Sequence, residues 1–488
     1  MGRGLGPLTE LAVLVAGHGV TGRAVASVLR TRAARVVTLD AGDPEADLAS
    51  IGAEEVATFD VVVASPGWRP TSQVFVDAAA AGVPVWSEVE LAWRLRVPSA
   101  ATGEPAPWLA LTGTNGKTTT VEMLLSILEA DGRAAAAVGN VGRPLVEAVV
   151  DPSLEVLAIE LSSFQLHFTT SMSPLAGAVL NVAPDHLDWH GTFEEYAAAK
   201  GKVYHQAQVA CVYNVEDSLT EQLVRDADVV EGARAVGVTV GAPGRSGVGL
   251  VEGVLCDRAF HVPADDPRRH DSAAELGSLD DLAHLAGPDG AVPSHVVFDA
   301  LAAAALARAY GVDAGSVREG LRGFRPGAHR IATVAQVPAA GGAGTVAFVD
   351  DSKATNAHAA SASLGGFAPG TVVWVAGGLA KGATFDELVR TRADRLRAVV
   401  LIGADRSALL DALGRHAGDV PVVEVDPGDT GTVMQRAVET AHGLARPGDT
   451  VLLAPACASM DQFASYAARG DAFAEQTRLL LGRVGDGR

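Results

Sequence analysis

Residues 108–125 read Trp-Leu-Ala-Leu-Thr-Gly-Thr-Asn-Gly-Lys-Thr-Thr-Thr-Val-Glu-Met-Leu-Leu. The apolar run Leu109, Ala110, Leu111 predicts a buried strand and Gly113–Gly116 a glycine-rich turn. Val121, Leu124, Leu125 and Leu128 then recur at helical spacing. Strand, glycine turn, Lys, Thr and helix, in that order, make a loop that cradles phosphate. Glycines let backbone amides converge on an anion, and the helix N-terminus adds positive potential. Lys117 brings a mobile charge, and Thr118 offers magnesium a hydroxyl. The general pattern G-x-x-x-x-G-K-[ST] wants glycine at position 111, where this chain has Leu111, so the loop is the shorter G-x-x-G-K-T.

Upstream, the run 11–16 predicts a parallel strand entering Gly17-His18-Gly19-Val20-Thr21-Gly22, followed by a helix through Leu29. A second strand, Val36 to Leu39, ends at Asp40, which is the layout of a mononucleotide-binding unit. The turn itself asks only for a diphosphate. A third strand, Asp60 to Ala64, stops at Ser65-Pro66-Gly67, and the Pro- and Ala-rich stretch Pro98 to Pro107 reads as a linker. Downstream, strand-like runs recur at Val156–Glu160, Ala178–Val182 and Val209–Tyr213. Residues 257–294 are polar and read as an extended excursion before an alanine-rich helix, Val296 to Tyr310. Past Gly323-Phe324-Arg325-Pro326 the strand pattern restarts at Val346–Val349, Val372–Ala376, Ala398–Ile402, Val422–Val425 and Val451–Ala454. The expected fold is α/β in three domains: Rossmann-like over 1–104, a phosphate-loop ATPase-like domain over 105–327, and Rossmann-like again over 328–488.

Composition agrees with that division. At ~150 residues per domain, 488 residues suggest three domains. A formal charge of −20 argues against a nucleic-acid-binding surface, so any anionic ligand must meet locally concentrated positive charge. Three widely spaced cysteines, Cys211, Cys256 and Cys457, suit a reduced cytoplasmic interior better than a disulfide framework. No signal peptide is expected from Met1 to Pro7, and no apolar run approaches the ~20 residues a membrane helix needs. Of 38 basic residues only five are lysines: Lys117, Lys200, Lys202, Lys353 and Lys381. Where Arg fills nearly every basic position, a retained lysine points to a need for a primary amine. For Lys202 chance retention is explanation enough.

Two further clusters follow strands in the central region. Glu160 closes the run Leu157-Ala158-Ile159-Glu160, where a carboxylate beside the phosphate loop can hold magnesium. Asp185 and His186 follow the Asn181 strand end. Lys200 lies on a helix, and at a pKa of ~10.4 its ammonium would repel a metal.

Taken together, these stretches resemble the Mur ligase and folylpolyglutamate synthetase superfamily. The resemblance is carried by Thr112-Gly113-Thr114-Asn115-Gly116-Lys117-Thr118-Thr119, Gly139 to Gly142, Glu160 to Gln165, Asn181 to Asp188, Asp351 to Asn356, Pro455 to Phe463, and Arg469-Gly470. It implies ATP-dependent amide formation by way of an acyl phosphate, with D-glutamate added to UDP-N-acetylmuramoyl-L-alanine for peptidoglycan. By the same resemblance, Gly113 to Thr119, Arg330 and Asp351 bind ATP. Thr118, Glu160, His186 and Lys200 hold magnesium, with Lys200 carbamylated, which reverses its sign and makes it a ligand. Val20, Thr21, Asp40, Ser65, Gly67, Asn140, Ser162 and Gln165 would face the UDP-linked substrate. Lys353, Thr355, Lys381, Ser459 and the backbone at Tyr466 would receive D-glutamate. The chain is expected to act as a cytoplasmic monomer, with no membrane insertion and no nucleic-acid partner. Val296 and Asp299 depart from the family's adenine-side pattern, as Ala41 does near the uracil. A nicotinamide-dependent oxidoreductase built on Gly17–Asp40 would leave the second phosphate loop and Lys200 without a role. Another amino-acid ligase of the same superfamily is the nearer alternative.

Overall fold

The computed structural model describes residues 7–263, 265–287, 290–327, 329–340, 343–380, 383–428 and 431–485. It contains three sheets. In the first, β1 (Ala12–Ala16), β2 (Arg35–Leu39), β3 (Val61–Ala64) and β4 (Val85–Ser87) are all parallel, in the order β2-β1-β3-β4. The two central strands, β1 and β3, are apolar runs without polar alternation, as strands buried on both faces require.

The second sheet has nine strands: β5 (Trp108–Thr112), β6 (Ala135–Gly139), β7 (Val156–Glu160), β8 (Ala176–Val179), β9 (Ala210–Asn214), β10 (Arg234–Val238), β11 (Gly247–Val251), β12 (Val254–Asp257) and β13 (Ala274–Ser278). Their order is β13-β12-β11-β10-β9-β8-β5-β7-β6. The phosphate-loop strand β5 is thus central, flanked by β7 and β8, and every residue of β5 and β7 is buried. The strand expected over Ala178–Val182 is Ala176–Val179, so Asn181 lies on the following loop. The polar excursion expected over 257–294 is in part a continuation of the sheet. There β13 pairs antiparallel with β12, and a short 3-10 turn, Pro267–His270, lies between them. Its polarity comes from the connection; the strand buries Leu276 and Gly277. The helix Ser294–Tyr310 packs its alanines against the phosphate-loop helix Lys117–Ala130.

The third sheet, β14 (Ala332–Pro338), β15 (Thr345–Asp350), β16 (Val372–Gly377), β17 (Leu396–Ile402), β18 (Val422–Glu424) and β19 (Thr450–Leu453), has the order β14-β15-β19-β16-β17-β18. All its pairs are parallel except that of β14 with β15.

The first two sheets belong to one compact unit, residues through Leu282 together with Ser294–Phe324. The third belongs to another, Ala283–Pro293 with Arg325–Arg488. Within the first unit one hydrophobic core runs from Val13, Val25 and Leu29 through Val89 and Leu91 to Trp108, Leu145, Ile159 and Tyr204. Trp93 meets Trp108 edge to face at 4.9 Å inside it. Each large side chain buried there contributes ~1.5–3 kcal/mol. Among the described residues, no helix is long and apolar enough to cross a membrane.

Candidate active site

In open parallel sheets ligands sit beyond the carboxyl ends of the strands. The register puts Leu111 of β5 beside Glu160 of β7 and Ala178 of β8, so the loops after these three strands are neighbours. Gly113 to Gly116 turns directly after β5. Gly116 has φ +81°, and a Cβ there would lie 2.4 Å from Asp299 Oδ1, so both conformation and space require glycine. The loop is also tied sideways. Asn115 N donates to Asn181 Oδ1 at 2.9 Å while Asn181 Nδ2 donates to the Asn115 carbonyl at 3.1 Å. The Thr114 and Tyr196 hydroxyls share a hydrogen bond of 2.9 Å. Lys117 Nζ donates to the carbonyls of Gly113 and Thr114, both at 2.9 Å.

Glu160 is buried, 1% exposed. Asn140 Nδ2 donates to its Oε1 at 2.8 Å, whereas its Oε2 is buried without a hydrogen-bond partner. A buried carboxylate oxygen left bare is costly unless a cation completes it. Magnesium suits that vacancy of partners, since it takes one or two carboxylates and fills its remaining positions with phosphate and water. Among the described residues no three His, Cys, Asp or Glu side chains gather to hold a metal by themselves.

Lys200 comes to the same loop from the helix Phe193–Gly201, where it is 2% exposed and donates to the Gly113 carbonyl at 2.8 Å. Burial first, then the charge of Lys117, holds its amine well below the usual lysine range. Asp185 and Glu160 pull the other way. His186 begins a short helix in the left-handed region, φ 54°, with Phe164 edge-on to its ring at 4.6 Å and Asp185 Oδ2 3.5 Å from Nε2. Lys202, by contrast, donates to the His167 carbonyl.

Three residues assigned by resemblance to the UDP-linked substrate have structural partners. Ser162 and Gln165 form the capping box of the helix Ser163–His167, and Asn140 holds Glu160. In the first sheet, Asp40 accepts from the amides of His18 and Gly42, both at 2.8 Å, which hold its carboxyl below the usual range. Ser65 donates to the Gly17 carbonyl at 3.4 Å, Val20 and Gly67 are exposed, and Thr21 is half-buried. A Cβ at Gly22 would lie 1.8 Å from the Gly17 carbonyl oxygen, which is why this turn needs its last glycine.

The second unit gathers its own group after β15 and β19. Asp351 is buried and accepts from the Ser363 hydroxyl; burial pushes its carboxyl up to about 7, against the pull of Arg330. Lys353 Nζ donates to the Tyr466 hydroxyl at 3.1 Å and lies 4.3 Å from the ring centre. Ser459 is buried on the loop after β19, and the Thr355 amide donates to the Lys353 carbonyl at 2.8 Å. Lys381 lies outside the described residues. Sequence reasoning missed the Asn115–Asn181 exchange, the Tyr196 hydroxyl under Thr114, and the burial and contacts of Arg469, which it named only as part of a motif. Only the last had a signal, as an Arg-Gly pair opening a long helix.

Solved structures with this fold include the pseudomurein peptide ligase type C of Methanothermus fervidus (TM-score 0.56, 16% identity, 97% of this chain and 100% of that one covered). Another is the UDP-N-acetylmuramate–alanine ligase of Thermotoga maritima (TM-score 0.53, 18% identity, 98% and 100% covered). Proteins named UDP-N-acetylmuramoylalanine–D-glutamate ligase are similar over nearly their whole length. That of Streptomyces avermitilis is 55% identical, covering 96% of this chain and 98% of its own. That of Thermobifida fusca is 48% identical, with the same coverage. Residues 111–240 match the Mur ligase middle domain and residues 329–457 the Mur ligase, glutamate ligase domain, together more than half of the chain. With the phosphate loop, Glu160 and Lys200 converging inside the first match and Asp351 and Lys353 inside the second, the chain belongs to the Mur ligase family.

Proposed function

We propose that the protein joins the amine of D-glutamate to the terminal carboxylate of UDP-N-acetylmuramoyl-L-alanine, with ATP, in cytoplasmic peptidoglycan precursor synthesis, and that it works as a monomer. The full-length similarity to ligases bearing that name supports the substrates. The observation that carries the chemistry is the meeting of Lys117, Glu160 and Lys200 around the Gly113 turn. We read residues 1–104 as the UDP-binding domain, 105–327 as the ATP-binding domain and 328–488 as the amino-acid-binding domain.

In this reading the substrate carboxylate attacks the γ-phosphorus of ATP and ADP leaves. The amine of D-glutamate then attacks the acyl carbon, and phosphate leaves. Both steps crowd anions, so the residues' task is to offset negative charge and hold the reactants in line. Gly113 to Thr119 present amides to the phosphates and Lys117 pairs with the β/γ oxygens. Arg330 and Asp351 contact the nucleotide. Thr118, Glu160, His186 and carbamylated Lys200 would hold magnesium, which when bound screens the phosphate charge and polarises the phosphoryl group. Val20, Thr21, Asp40, Ser65 and Gly67 receive the UDP moiety, and Asn140, Ser162 and Gln165 the muramoyl part. Lys353, Thr355, Lys381, Ser459 and Tyr466 orient D-glutamate. Phosphate release from ATP should require both UDP-N-acetylmuramoyl-L-alanine and D-glutamate. Equal release with L-alanine or meso-diaminopimelate in place of D-glutamate would overturn the assignment.

A further inference from the structure

The loops after β15, β16 and β19 are neighbours, because these strands lie in the order β15-β19-β16. One side chain touches all three. Arg469, in the first turn of the helix Tyr466–Gly485, is 1% exposed. Its Nε donates to Ser352 Oγ at 3.0 Å, its Nη2 to the Ser352 carbonyl at 3.0 Å, and its Nη1 to the Cys457 carbonyl at 3.1 Å. Ser352 stands between Asp351 and Lys353, and Cys457 lies two residues before Ser459. On the third loop Gly378 has φ +135°. A Cβ there would lie 2.2 Å from the Ala458 carbonyl oxygen and 3.2 Å from Arg469 Nη1, so the guanidinium lies against bare backbone. Leu379 and Ala458 exchange backbone hydrogen bonds of 2.8 and 3.1 Å just beyond.

An apolar side chain would fill this space without desolvating a charge. The guanidinium, a rigid fork, can instead bridge carbonyls on separate loops at fixed angles. Among the described residues no carboxylate forms an ion pair with Arg469, and its three acceptors are neutral. Burial brings it down to about 10, so at neutral pH it remains a cation. Asp461 and Asp350 attract this cation from outside ion-pair distance, and a buried cation whose direct partners are neutral still imposes positive potential on the loops it joins.

We propose that Arg469 is a positioning residue of the amino-acid site: it holds the three loops in register, and its charge, drawn on by Asp461 and Asp350 without a direct ion pair, favours an amino acid with a second carboxylate. This rests on the reading that these loops receive D-glutamate.

The test compares Arg469→Met, Arg469→Lys and Ser352→Ala with the unaltered full-length chain, varying each substrate in turn. In Arg469→Met the KM for D-glutamate should rise about tenfold, while the KM values for ATP and the UDP-linked substrate stay within about twofold. Arg469→Lys, keeping charge without the fork, should recover part of that rise. An unchanged D-glutamate KM, or all three KM values rising together, would overturn the proposal. Should Arg469→Met fail to fold by circular dichroism, Ser352→Ala carries the same expectation at about threefold, and no rise there overturns it. If the unaltered chain releases phosphate with a different amino acid, the proposed substrate fails. Arg469 then still requires that amino acid to be acidic, and a neutral one sinks it.

Discussion

Lys117 and Lys200 donate to a single carbonyl oxygen, that of Gly113, at 2.9 and 2.8 Å. Two ammonium groups on one acceptor repel, and burial of Lys200 adds to the penalty. A lysine held neutral can add carbon dioxide, which an ammonium cannot, and the resulting carbamate would turn the repulsion into attraction. Lys200→Ala should therefore lower phosphate release by at least about a hundredfold, and a small carboxylate such as acetate should restore part of it. Full activity of that variant without additive would remove the carbamate from the account.

Gly116→Ala should weaken nucleotide binding more than it weakens the fold. The φ of +81° costs an alanine ~1–2 kcal/mol, and the added Cβ would displace Asp299 from behind the loop. Calorimetric titration with ADP is expected to show at least about tenfold weaker binding, with the melting temperature lowered by only a few degrees.

Asn140 gives a second handle on Glu160. Without its amide the Oε1 oxygen loses its 2.8 Å donor, and the carboxylate is freer to turn. Asn140→Ala should raise the magnesium concentration for half-maximal activity by roughly three- to tenfold, as expected for loss of a partner that orients a metal ligand. A KM change confined to the UDP-linked substrate would instead place Asn140 wholly at the sugar.

Glu88, at the start of the helix Glu88–Leu95, is buried and accepts from the Val146 amide at 3.4 Å; burial pushes its carboxyl up to about 7. The folded state therefore binds a proton more tightly than the unfolded chain. The stability this contributes is fully present below about 4.5 and is lost as pH rises through about 7. Glu88→Gln should match the parent in acid and exceed it by about 3 kcal/mol at pH 8. Thermal melts across that range read the difference directly.

The central strands β7 and β16 were legible because a parallel sheet covered on both faces needs unbroken apolar runs, and Val156–Glu160 and Val372–Ala376 have no other use for them. Lys200 was legible as a scarce amine, but its burial was not. Helix Phe193–Gly201 has too little polar–apolar contrast to show which face it buries. The strands β10 to β13, towards one edge of the sheet, escaped because glycines and charges break their pattern, and the short antiparallel pairing of β11, β12 and β13 leaves little periodicity. Asn181 escaped for another reason: a side chain imitating a strand's hydrogen bonds is invisible until two loops are seen side by side.

The edge-to-face meeting of Trp93 and Trp108 bridges the proline-rich stretch that reads as a linker. A severed linker would therefore leave no pair of self-sufficient halves. A fragment ending near residue 104 would carry the Trp93 ring and the flank of the first sheet bare into water. Such a fragment is expected to aggregate, and a protease nick there to leave the two pieces clinging together through gel filtration.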